Sequence, residues 1–145
     1  VEETLKEEKI MTVKLTPYLM MDGNAKEAIQ FYEQALNAQI ITTITYEEVP
    51  DLPSEDLKDL VAHAKLKIGD SELMISDSPS VLPVEPGNQV TICILAKDAE
   101  TSRGFFEDLE KEGNVKMPFQ ETSFSTAYGS LTDKFGVTFL IDTES

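Results

Sequence analysis

The sequence predicts an α+β fold of two βαβββ modules, whose strands form a curved, barrel-like sheet around a central cavity with the helices outside. Three observations predict it. Strand-like and helix-like periodicities follow one another in the order strand, helix, three strands, and they do so twice. The two helical segments align when Ala25 is placed on Ala99, which sets Phe31-Tyr32-Glu33 against Phe105-Phe106-Glu107. A stretch rich in proline, serine and glycine, residues 78–88, separates the halves.

In the first half, "VKLTPYLMM" (13–21) reads as a strand and "DGN" as a turn. Asn24 is placed to cap a helix, and Glu27 three residues on completes a capping-box pattern. Ala25, Ala28, Ile29, Tyr32 and Leu36 then recur at helical spacing and form one apolar face. "AQIITTITY" (38–46) is rich in β-branched residues and reads as a strand, followed by the acidic loop "EEVPDLPSEDLKDL". In "AHAKLKI", Ala62, Ala64, Leu66 and Ile68 share one parity, while His63, Lys65 and Lys67 share the other. "GDS" turns the chain into the strand "ELMISD".

The second half repeats the order. "QVTICILA" is a strand, Asp98 a helix cap, and "AETSRGFFEDLEKEG" a helix stopped by Gly113. Three strands follow: "VKMPFQE", "TAYGSLTD" and "GVTFLID". Gly129 and Gly136 suit close packing and turns better than phosphate binding. Residues 1–12 read as an N-terminal extension, since Met11 followed by "TVKLTPYL" looks like a natural start. Residues 13–145 form a single domain of modules 13–77 and 89–142, joined by linker 78–88.

Composition narrows the function classes. A chain of 145 residues buries roughly 70% of its unfolded surface and needs no staples. Twelve Lys+Arg against 27 Asp+Glu give a formal charge of −15, which repels phosphate backbones and argues against nucleic acid as partner. No apolar run approaches the ~20 residues that span a bilayer. The acidic start "VEETLKEEKI" lacks the apolar core of a signal peptide, so the expected setting is cytoplasmic, away from membrane. The single cysteine, Cys93, excludes an internal disulfide, and the run "VTICIL" around it predicts a buried free thiol.

The stretches "PYLMMDGNAKEAIQFYEQAL", "HAKLKIGDSELMISD" and "MPFQETSFSTAYGSLTDKFGVTFLI" resemble the PhnB-like branch of the vicinal oxygen chelate superfamily. That superfamily includes glyoxalase I, extradiol dioxygenases and the bleomycin- and fosfomycin-resistance proteins, and the resemblance spans about residues 13–142. It implies a glyoxalase-like domain, often in a homodimer, whose concave faces hold a divalent metal that chelates neighbouring substrate oxygens as a Lewis acid. It also implies ligand positions. A first-strand His stands about fourteen residues before the helix aromatic, and counting back from Phe31 reaches Pro17. The second-module equivalent falls near Gln89, or Thr91 on the same strand, and the terminal-strand Glu falls near Leu140. Proline and leucine carry no donor atom, and glutamine and threonine bind such metals weakly. The expectation is therefore no metal and no other cofactor.

His63 is the only histidine, and Lys65 and Lys67 beside it oppose a bound cation. Its plainest role is a hydrogen-bonded structural one; facing a cavity, it can donate to an oxyanion or act as a base. Glu121 in "FQETSF" is a solvated carboxylate, or else an acid, base or ligand. Phe119, Phe124 and Tyr128 suit stacking on a ligand, a core or a dimer interface equally. By strand parity, Pro17, Leu19, Met74, Gln89, Thr91 and Leu140 line a pocket with His63 as polar anchor. The expected function is binding of an unknown small molecule by a homodimer without the usual metal site. The alternative is a divalent-metal-dependent lyase or dioxygenase-like enzyme using a set such as His63 and Glu121. A third reading, compatible with the first, is an interaction protein whose exposed strands pair across a dimer. Some PhnB-like sequences carry a demethylubiquinone methyltransferase label, but no glycine-rich nucleotide loop follows a strand here to hold a methyl donor.

Overall fold

A computed structural model describes residues 13–52, 54–79 and 84–144, so the expected extension 1–12 and the middle of the linker, 80–83, lie outside the described residues. The elements follow the predicted order. The first module holds β1 (Tyr18–Met21), α1 (Ala25–Ala35), β2 (Gln39–Thr45), β3 (Val61–Ile68) and β4 (Ser71–Asp77). The second holds β5 (Ile92–Ala96), α2 (Ala99–Leu109), β6 (Asn114–Gln120), β7 (Tyr128–Thr132) and β8 (Thr138–Thr143). Each module forms one four-stranded mixed sheet, ordered β1-β4-β3-β2 and β5-β8-β7-β6. The two curved sheets are unclosed, as the paired βαβββ modules of this fold class require.

Strand parity explains which face each helix covers. Leu19 pairs with Ile75, and Ala64 with Ile75, so these side chains share one face of the first sheet. The apolar stripe of α1 packs on it, burying Ala25, Ala28, Ile29, Tyr32 and Ala35 against Ala64, Leu66, Leu73 and Ile75. In the second sheet, α2 buries Phe106 and Leu109 against Leu131, Phe139 and Ile141. Gly129 is required there: a Cβ would stand 2.8 Å from the Phe106 ring and 2.9 Å from the Phe119 Cα. Gly136, at φ 87°, makes the β7–β8 turn. Both packing and turn roles match what the sequence suggests for these two glycines.

Three local expectations are corrected. The first strand is shorter than 13–21, because Val13 and Leu15 are exposed and the ladder begins only where Met74 N donates to the Pro17 carbonyl at 3.0 Å. Asn24 makes no capping hydrogen bond, and its Oδ1 is buried without a partner. The start of α1 is served instead by Asp77 at the end of β4, whose carboxylate accepts from Ala25 N and Val61 N, both at 2.9 Å. In the second module the cap is local, as predicted, with Asp98 Oδ1 accepting from Thr101 N at 2.8 Å. Finally, α2 ends at Leu109, four residues before Gly113. Gly113 is needed where the chain passes β7, since a Cβ there would meet the Thr132 carbonyl oxygen.

The modules share one core. Phe31 and Tyr32 of α1 meet Phe135 of the β7–β8 turn, and Tyr32 also packs edge-on against Phe139. Tyr32 Oη donates to Asp133 Oδ2 at 2.5 Å, with both residues buried. Asp133 Oδ1 accepts from Phe135 N at 2.9 Å and Val137 N at 3.0 Å, so one carboxylate shapes the turn and clasps the other module. Burial pushes the Tyr32 hydroxyl well above its usual range, with the Asp133 charge adding to the shift. Burial also raises the Asp133 carboxyl, partly offset by these hydrogen bonds.

Tyr32→Phe leaves Asp133 Oδ2 buried and unpaired, and is expected to cost about 1–3 kcal/mol in urea unfolding. The pH dependence follows from the direction of the Asp133 shift. A carboxyl raised in the folded state favours folding while protonated, so its contribution is complete below the unfolded value and declines as pH rises through the folded one. Asp133→Asn should flatten that part of the stability–pH curve, measured by chemical denaturation from acid to neutral pH.

Candidate functional site

The face of each sheet away from its helix is open, and here the chemically interesting side chains gather. On the first sheet, Tyr18 pairs with Met74 and Met20 with Ser76, while Lys65 pairs with Met74 and Lys67 with Glu72. His63 lies on β3 opposite Ile44. This face therefore carries a methionine and tyrosine floor beside the row His63, Lys65, Lys67. Tyr18 reaches over β4 to His63, with Oη 3.2 Å from Nδ1 and ring centroids 5.9 Å apart. Tyr18 and Met20 are each 44% exposed, and Ser76 Oγ lies 3.3 Å from Met20 Sδ. Tyr46 stands just beyond β2, and its hydroxyl donates to the Asp77 carbonyl at 2.8 Å. Partial burial and the nearby Asp77 and Tyr18 push its pKa upward.

On the second sheet, Leu140 sits at the centre of the open face between Cys93 of β5 and Ser130 of β7. Asp142 follows two residues on and is held by Ser125 Oγ at 2.7 Å and its neighbour Thr143 N at 2.8 Å. Tyr128 stacks edge-on with Phe124 at 5.0 Å, and Phe124 itself is 66% exposed. Cys93 is exposed rather than buried as expected. The reason is that β5 is an edge strand: Ile92 and Ile94 turn toward the shared core, leaving Cys93 and Leu95 on the open side. Partial burial raises the Cys93 thiol, and the Asp142 charge raises it further.

The pocket predicted by strand parity is divided among three places. His63, Lys65 and Met74 share the open face of the first sheet, whereas Tyr128 and Leu140 belong to that of the second. Pro17 and Leu19 do not join Met74, because the β1–β4 register puts Tyr18 beside Met74 and Leu19 beside the core residue Ile75. Together with Tyr18 and Met20 they line a cleft of about 610 Å³ where β1 meets Val90, Ile92 and the β7–β8 turn. A second cleft of about 590 Å³ lies where β5 meets Pro17 and the β3–β4 turn. Gln89 and Thr91 are exposed and precede β5, so they are not strand residues at all. Glu121 is exposed just past β6, an edge strand of the second sheet, while His63 belongs to the first sheet. Tyr18 and Met20 are not among the pocket residues that the sequence suggests, and the parallel β1–β4 register is what sets them beside Met74 and Ser76.

The donor set is poorly suited to a divalent metal. Pro17 and Leu140 offer no donor atom, Gln89 and Thr91 stand off the strand, and His63 Nδ1 is engaged by Tyr18. Among the described residues, no three His, Cys, Asp or Glu side chains are grouped to hold a metal ion. The residues do not fit the metal that the fold usually carries.

Paired βαβββ modules with open sheet faces define a protein of the vicinal oxygen chelate class. Residues 13–142 match the family described as 3-demethylubiquinone-9 3-methyltransferase, and the chain belongs to that PhnB-like family. It is 30% identical over 139 residues to Protein YjdN of Escherichia coli, covering 88% of this chain and 93% of that protein. Among solved structures it is similar to PA1353 from Pseudomonas aeruginosa, with TM-score 0.84, 30% identity, and coverage of 91% of this chain and 98% of that one. It is also similar to a putative 3-demethylubiquinone-9 3-methyltransferase, PhnB protein, from Bacillus cereus, with TM-score 0.74, 27% identity, and coverage of 91% and 100%. No helix among the described residues is long and apolar enough to cross a membrane.

Asp142→Asn keeps an acceptor for Ser125 and Thr143 but removes the charge that raises the Cys93 thiol. It should speed alkylation of Cys93 by iodoacetamide about two- to fivefold at mildly alkaline pH, followed by intact mass.

Proposed function

We propose that this chain is a small-molecule-binding protein that works without the superfamily's usual metal site, as a cytoplasmic homodimer. One observation carries the reading: the positions where a metal would be ligated hold Pro17, Gln89 or Thr91, and Leu140, while the open faces keep apolar floors with a few placed polar groups. Sites of that composition bind small molecules by burial and fix orientation with one or two hydrogen bonds. Met20, Met74 and Tyr18 supply the surface, and His63 the polar anchor. Methionine suits such a floor because its flexible thioether adapts to ligand shape.

An open face alone buries only one side of a ligand. A second copy supplies the other side when its second-sheet face, with Leu140, Tyr128 and the 56% exposed Leu95, covers the first-sheet face. A two-fold pairing would use both faces of both copies and cover the exposed apolar side chains. The metal-enzyme alternative built on His63 and Glu121 gains no support, since His63 lies on β3 of the first sheet and Glu121 is exposed beyond the end of β6 in the second module.

Elemental analysis after reconstitution with Zn, Ni, Mn and Fe should find less than stoichiometric metal; one tightly held ion per chain would overturn the metal-free reading. Light scattering at micromolar concentration should give the dimer mass. A thermal-shift screen of metabolites and antibiotics should yield compounds that raise Tm, and Met74→Glu should abolish the shift without lowering the ligand-free Tm by more than about 1–2 °C, as expected for a half-exposed site.

A further inference from the structure

The chain carries more than twice as many acidic as basic side chains, yet one strand face reverses the balance. On β3, the alternate residues His63, Lys65 and Lys67 all point to the open side, and no acidic residue lies on that strand. The charged groups facing them from the packed neighbours are few. From β4 there is Glu72, opposite Lys67 and 3.9 Å from Lys65, a loose contact at the outer limit of an ion pair. β2 presents Thr42 and Ile44, and β1 presents Tyr18 and Met20. Asp77, the other carboxylate of β4, faces the helix and is spent on Ala25 N and Val61 N. The face is thus a basic row of two lysines and an imidazole against one carboxylate, bordered by the apolar floor of Met20, Met74 and Tyr18.

We infer that the first-sheet face selects amphipathic anions, small molecules whose apolar body lies on Met20, Met74 and Tyr18 while a carboxylate, sulfonate or phosphonate group meets Lys65, Lys67 and His63. The inference rests on the small-molecule reading above and adds the ligand's charge. Two features favour it over an ordinary solvated row of lysines. Lys65 is half-buried, with its side chain at 36% exposure, and its strand register sets it directly beside Met74 of the floor. The Tyr18 hydroxyl engages one imidazole nitrogen of His63, leaving the other as donor or acceptor toward the face. In a chain of charge −15, long-range repulsion disfavours anions everywhere except where local cations overcome it, so such a site would also be selective for place.

Two dyes of similar shape separate charge from apolar burial: 1-anilinonaphthalene-8-sulfonate, an anion, and N-phenyl-1-naphthylamine, its neutral counterpart. Fluorescence titration of the full chain should show the sulfonate binding more tightly than the neutral dye. The double variant Lys65→Gln/Lys67→Gln should weaken sulfonate binding about five- to twentyfold and leave the neutral dye within about twofold. Glu72→Gln should tighten sulfonate binding by about two- to threefold, a gain that misfolding cannot imitate. Raising NaCl from about 50 to about 500 mM should weaken the sulfonate alone. Equal affinity for both dyes, or a double variant that binds the sulfonate as wild type does, would overturn the anion assignment while leaving the pocket reading intact. Binding of neither dye would overturn both.

Discussion

The contact on which the rest depends is the clasp between Tyr32 and Asp133. α1 belongs to the first module and the β7–β8 turn to the second, and the two residues lie 101 positions apart. Around their hydrogen bond stand Phe31, Phe135 and Phe139, so a polar contact is sealed inside an aromatic cluster. In that dry setting the proton stays on the tyrosine, and the carboxylate needs every donor it receives. Asp133 also collects the Phe135 and Val137 amides, which shapes the turn that carries Phe135 into the cluster. Because, among the described residues, no strand of one sheet pairs with a strand of the other, side-chain contacts of this kind orient the two open faces.

The two modules solve one problem in two ways. A helix start needs an acceptor for its first amides. α2 takes a neighbour, Asp98, whose backbone is extended as an N-cap requires. α1 takes a residue 52 positions away, Asp77, which also holds Val61 and so pins the start of β3 to the start of the helix. Asn24 has the right side chain but the wrong backbone, at φ −114° and ψ 25°, and it caps nothing. The difference has a functional side. With Asp77 consumed on the helix face, Glu72 is the carboxylate that β4 leaves on the open face of the first sheet.

Much of the fold was legible in the sequence. The order of elements, the apolar stripe of α1 and the split of β3 into a buried parity and a His63-Lys65-Lys67 parity are all written in local periodicity. The site was legible only in part. His63, Lys65, Met74, Tyr128 and Leu140 lie on the open faces, whereas the β1–β4 register sets Leu19 beside the core residue Ile75 rather than beside Met74. Periodicity tells which residues of one strand share a face, but not which face of the neighbour they share. For β1 that depends on a parallel register with β4, more than fifty residues away. Cys93 failed for a related reason: "VTICIL" is apolar on both parities, but only one side of an edge strand has a partner.

By itself, then, the sequence determined the two-module α+β architecture and put Pro17 and Leu140, which carry no donor atom, where the resemblance implies metal ligands, since both rest on residue identity and local spacing. Tertiary structure decided the rest. It set the β1–β4 register that brings Tyr18 to His63, the separation of the sheets into two open faces, and the use of Asp77 as a remote cap. Those outcomes depend on pairings across many tens of residues, where packing and hydrogen-bond satisfaction over the whole chain select one arrangement from several that local pattern allows equally.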